Sequence, residues 1–169
     1  MAYSDLGTFN TGDILTAATM TQVRLNDEAL IDPPTTSAYN SAAQSIPNAT
    51  ATKLTANAEL FDNDSIHSMT VDTSRLTIQT SGRYLVFGAV RFAASGAGVT
   101  RSMEFLVNNV TLLLGVSGPQ LSAFYDVGLA TVRSKVFVAG DYVETRVFHD
   151  AGAALNCTLS EFGILKVTR

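Results

Sequence analysis

From residue 45 to its end, this sequence keeps a period of two and never returns to helical spacing. Alternation of apolar and polar residues puts successive side chains on opposite faces of a strand, so such a chain must fold by pairing strands and covering sheets. Arg75-Leu76-Thr77-Ile78-Gln79 alternates cleanly, and Ser81-Gly82 turns the chain into a long strand over 83–93. Further strands are expected over 99–107, 110–114, 121–132, 135–138, 141–149, 155–161 and 162–167, with turns at Asn108-Asn109 and Ala139-Gly140. Many short strands separated by turn residues, with no second helix among them, predict an all-β jelly-roll sandwich over 45–169.

The beginning of the chain reads differently. Gly12-Asp13 makes a turn, and Thr16 can cap a helix over 17–30. Met20, Val23, Asp27 and Leu30 fall on one side of it, a narrow apolar stripe interrupted by a charge. Such a helix buries little alone and needs a neighbour or a copy of itself. Pro33-Pro34 stops it, and small polar residues continue to Gln44. The expected organisation is a segment over 1–31 carrying one helix, a linker over 32–44 and a head over 45–169.

In the predicted strand over 83–93, Leu85, Phe87 and Ala89 alternate with Tyr84, Val86, Val90 and Phe92, so both faces are apolar. The same holds for Tyr125, Val127 and Leu129 against Phe124 and Val132, and for Phe162 and Ile164 against Leu159, Leu165 and Val167. A sandwich strand normally keeps one face wet. With 46% apolar and only 15% charged residues, well under the usual quarter, the second face is expected to meet another subunit. Tyr84, Phe124, Phe148 and Phe162 are the aromatic candidates for that interface.

Nothing in the sequence assembles a reaction centre. Cys157 is the only cysteine, so no internal disulfide forms. His67 lies near Asp62-Asn63-Asp64-Ser65, which lacks EF-hand spacing and reads as a solvated turn rather than a calcium site. His149-Asp150 ends a strand before Ala151-Gly152 and reads as a turn rather than a proton relay. Ser81, Ser117 and Ser160 have no identifiable His/Asp partners. Ser95-Gly96-Ala97-Gly98 joins two strands with no following helix to hold a phosphate. Net charge of −4 and the absence of a basic run argue against nucleic-acid binding. No apolar run approaches a membrane span, and the opening residues lack the pattern of a signal peptide. The reading is of a protein that is not an enzyme and has no cofactor and no metal.

The head resembles the complement globular-head and tumour-necrosis-factor-like jelly rolls. The residues that carry the likeness are Ser81-Gly82-Arg83-Tyr84-Leu85-Val86, Phe105-Leu106-Val107-Asn108-Asn109, Ala139-Gly140-Asp141-Tyr142-Val143-Glu144 and Ser160-Glu161-Phe162-Gly163-Ile164-Leu165, in that order. The resemblance implies a ten-stranded jelly roll that forms homotrimers and binds partners without catalysis. The opening segment, Gly12-Asp13-Ile14-Leu15-Thr16-Ala17-Ala18 followed by Asn26-Asp27-Glu28-Ala29-Leu30, resembles the start of phage tail-fibre and head-fibre proteins. Met20-Thr21-Gln22 stands where that pattern often has an Asn. This second resemblance implies attachment to a virion through Ile14, Leu15, Met20, Val23 and Leu30. Together they imply a bacteriophage structural protein, assembled in the host cytoplasm and carried in the particle as a tail fibre, tail tip, head fibre or capsid decoration, with the tail favoured. Its partners would be two further copies of itself, other virion proteins and a host-surface glycan or receptor. The alternative is a lectin-like module that binds a carbohydrate or receptor.

Overall fold

The computed structural model describes residues 5–120 and 123–168. Its one helix, α1 (Ala17–Ile31), starts where expected, with the Thr16 hydroxyl accepting a hydrogen bond from the Thr19 N–H. It ends at Asp32, whose N–H bonds the Glu28 carbonyl ahead of the two prolines. The stripe that the spacing picked out is not the covered side. Met20 and Leu30 are 50% and 71% exposed, Val23 is half-buried, and Asn26 is buried instead. The helix buries a polar residue, whose side-chain oxygen accepts from the Gln22 amide, and leaves Met20, Leu30 and Ile31 exposed.

The expected linker is not one. Residues 35–39 form β1 (Thr35–Tyr39), which lies inside a sheet and pairs with a strand on each side. Thr36, Ser37 and Ala38 are buried. Small polar residues tolerate this because their hydroxyls find acceptors: Thr36 donates to the Phe61 carbonyl and Ser37 to Glu161. The head therefore begins at the prolines, about ten residues before Ser45. Asn63 ties the junction together. Its amide donates to the Asp32 carboxylate and to the Pro33 carbonyl, and its side-chain oxygen accepts from the Thr35 N–H at 2.8 Å.

Two antiparallel sheets form the sandwich. The remaining strands are β2 (Gln44–Ile46), β3 (Thr52–Lys53), β4 (Ala58–Asp62), β5 (Arg75–Thr77), β6 (Gly82–Phe92), β7 (Arg101–Val107), β8 (Val110–Gly118), β9 (Val127–Phe137), β10 (Tyr142–His149) and β11 (Leu155–Thr168). The first sheet runs β4-β1-β11-β6-β9, with β2 added at the start of β11; the second runs β3-β10-β7-β8, with β5 beside β10. The predicted strands over 121–132 and 135–138 are one strand, β9, because its ladder with β6 continues unbroken from Val127↔Phe92 to Phe137↔Gly82. Residues 121 and 122 lie outside the described residues. The last two predicted strands also fuse, into β11, which follows β6 past a bulge near Leu159. Asn108 and Asn109 take positive φ in the β7–β8 hairpin, as the turn demands.

Between the sheets lies one apolar core that includes Ile46, Leu54, Leu76, Val86, Phe92, Met103, Phe105, Val147 and Ile164. Tyr84 meets Phe137 edge to face, with ring centroids 5.9 Å apart, and its hydroxyl donates to the Thr80 carbonyl. No described helix is long and apolar enough to cross a membrane.

Candidate assembly surface

The two sheets present unlike outer faces to their surroundings. On the second sheet, charged groups come in pairs. Glu144 meets Lys53 at 2.6 Å and Arg75 at 3.3 Å, Arg146 meets Glu104, and Arg75 also lies over the Tyr142 ring. Glu144 itself is buried beneath its two partners, so ion pairs close this face.

The first sheet has an apolar centre. Register places Phe61, Ser37, Gly163, Phe87 and Val132 in one row across it, and Leu165, Leu85 and Ser134 in the next. Phe61 is 48% exposed, Val132 52% and Val136 58%, while Leu85, Phe87 and Leu165 are half-buried. Phe87 lies flat because Gly163 carries no side chain: a Cβ there would come within 2.4 Å of the Phe87 ring and 2.2 Å of the Thr36 carbonyl. Beside it, Ala89 and Ala130 leave a shallow hollow of about 400 Å³, with Glu161 on its rim held by the Ser37 hydroxyl at 2.7 Å. Arg91, which pairs with Asp126, and the exposed Arg83 lie at opposite ends of β6 on this face.

The doubly apolar strands read from the sequence therefore do present a second apolar face, but the four aromatic candidates for it fall in three different places, none of them on it. Tyr84 and Phe162, 0% and 1% exposed, point into the core of the same protomer and meet no neighbour. Alternation could not tell inner from outer face, since both are apolar; the inner one is fixed by contact with Phe137 and the opposite sheet. Phe148 lies on the outer face of the second sheet. Phe124 stands 87% exposed in the turn ahead of β9, beside Tyr125 at 67%. Leu85, Phe87, Val132 and Leu165 line that face, and none of them is among the four aromatic candidates.

Of the anchoring candidates, Ile14 and Leu15 precede α1 and are 88% and 54% exposed; Met20 and Leu30 are open as well, and Val23 is half-covered.

The polar clusters build loops. One Asp62 oxygen accepts the N–H groups of Asp64 and Ile66 and the other that of His67, so this carboxylate shapes the turn. His67 is clamped between Glu59 and the Thr73 carbonyl. His149, buried, bonds the Ile46 carbonyl and the Ala151 N–H. Among the described residues no group of three or more His, Cys, Asp or Glu is placed to hold a metal ion. Cys157 is buried in the core, and that burial pushes its thiol pKa up, which disfavours the thiolate that a nucleophile requires.

No family model matches the chain, and no curated protein matches it. Solved structures do. The globular domain of zebrafish complement 1qA protein is similar over 80% of this chain and 98% of its own, with a TM-score of 0.58 at 16% identity. Murine APRIL at pH 5.0 is similar over 79% of this chain and 98% of its own, with a TM-score of 0.56 at 11% identity. At such identities the likeness speaks for the fold, and the fold is a jelly-roll sandwich of the complement globular-head and tumour-necrosis-factor type.

Proposed function

We propose that this chain is a non-catalytic structural protein of a bacteriophage particle, a homotrimeric knob docked on the virion by residues 1–31. The observation that carries assembly is the apolar outer face of the β4-β1-β11-β6-β9 sheet, set against an ion-paired face on the other sheet. Exposed apolar surface of this kind, rimmed by polar groups, marks an interaction site. The fold supports a trimer as the way to cover it. The exposed Ile14, Leu15, Met20 and Leu30 support docking to a second virion protein, and the opening motif supports a tail fibre or tail tip over a capsid position.

The test has two arms. Light scattering of the purified chain should give three times the monomer mass. Phe87→Glu, on the outer face, should weaken association by at least about 2 kcal/mol, roughly thirtyfold in dissociation constant, while leaving the β-sheet circular dichroism intact. A stable wild-type monomer at micromolar concentration would refute the trimer. Deletion of residues 1–31 should leave a folded trimer that no longer joins particles lacking the native protein. Particles decorated normally by the truncated head would reverse the division of labour.

A further inference from the structure

The outer face of the second sheet carries a hollow that the assembly reading does not use. It has a volume of about 490 Å³, within the roughly 300–1,000 Å³ of small-molecule sites. Its origin is a bulge. The β7–β8 register slips between Met103 and Phe105, and Gly115 passes so close to β7 that a Cβ there would lie 1.3 Å from the Met103 carbonyl oxygen. Only glycine fits, so the floor has no side chain. Around it stand Phe148, Ser102 and Ser117, in register across three strands, and the Arg146–Glu104 pair one row along.

We infer that this hollow is a binding site for a neutral saccharide. Three features decide the ligand class. Phe148 is a half-buried ring at the wall, and an aromatic ring offers an apolar face on which the C–H side of a sugar ring stacks. The Ser102 and Ser117 hydroxyls line the same space and make no hydrogen bond with another described residue; each can donate and accept, as a sugar hydroxyl requires. Arg146 and Glu104 neutralise each other, and the Glu104 carboxylate oxygen that does not meet Arg146 can accept from a sugar hydroxyl. That cancellation also argues against a phosphate or sulfate, which would require unmatched positive charge. The site lies on the opposite side of the sandwich from the apolar sheet face, so it stays open whether or not the protein trimerises.

The experiment is saturation-transfer NMR on the full chain with the methyl glycosides of glucose, galactose, mannose and N-acetylglucosamine, and with glucose 6-phosphate as the charged probe. At least one neutral glycoside should receive transfer. Phe148→Ala should weaken its binding by about tenfold or more, and Glu104→Gln should weaken it as well, with melting temperatures close to wild type. If Phe148→Ala does not fold, Ser117→Val, at an exposed hydroxyl, takes its place and should still reduce binding. No transfer to any neutral glycoside, transfer indifferent to these substitutions, or transfer to glucose 6-phosphate alone would overturn the inference. Phe87→Glu should leave glycoside binding unchanged, so this site and the assembly face fail or stand separately.

Discussion

Arg101 carries its charge to a depth of 0% exposure, where an isolated ion is costly. It is held by the carbonyls of Thr100 and Ala97, both at 2.9 Å, and by Asp150 at 3.5 Å. Asp150 also accepts the Thr100 and Val99 N–H groups, and these bonds hold its carboxyl below the ordinary range. Because folding lowers this pKa, its stabilisation is complete above the ordinary carboxylate value of about 3.9 and is lost as pH falls through the lower folded value. Melting followed against pH should show a decline in that acid range, and Asp150→Asn should flatten that decline while lowering the midpoint at neutral pH. Tyr84 works in the opposite direction. Burial pushes its phenol up to about 12, so its contribution is complete below about 10 and disappears as pH rises toward the folded value. Tyr84→Phe removes the bond to the Thr80 carbonyl and should cost about 1 kcal/mol in urea unfolding. The sequence placed this residue on a long strand correctly. It could not reveal the facing direction, because that depends on Phe137, more than fifty positions away along the chain.

Among the elements, β6, β7 and β10 were legible, since each alternates or runs apolar between turn residues, whereas β11 was read as two strands. β1 was hidden. Its Thr35-Thr36-Ser37-Ala38-Tyr39 has no large aliphatic residue, and hydroxyl bonds of Thr36 and Ser37 flank the one core side chain, Ala38, so the polar run and the two prolines resembled a linker. The apolar outer face was half legible: the doubly apolar strands announced it, but its flat centre depends on Gly163 lying beneath Phe87, a contact between different strands. Two outcomes follow for the elements. A chain starting at Pro33 should fold, whereas one starting at Ser45 lacks a strand paired on both sides and should give no cooperative thermal transition. Gly163→Ala drives a methyl group into backbone and ring, and should destabilise by roughly 1–3 kcal/mol or more in denaturant unfolding.

For the whole molecule, the contrast between the two outer faces governs how copies can meet. The net charge is −4, and matched ions occupy the second sheet, so contacts made through the apolar sheet owe little to long-range attraction. Association should therefore hold from about 0.1 M to about 1 M salt, over which the screening length falls from about 10 Å to about 3 Å. Sedimentation across that range would check it; dissociation at high salt would move the subunit contact to the charged face. Sequence patterning indicated that a second apolar surface existed, but the assignment of ion pairs to one sheet and bare aliphatics to the other is a product of register and could only be seen once the strands were paired.

The Asn63 side chain binds the end of the helix and the first residue of β1 into one knot, and that knot has a mechanical meaning. Tension arriving from the N-terminal segment does not peel a loose tether away from the head. It enters a strand hydrogen-bonded on both edges, and a pull along that strand loads both ladders in shear, so that their bonds resist together instead of opening one after another.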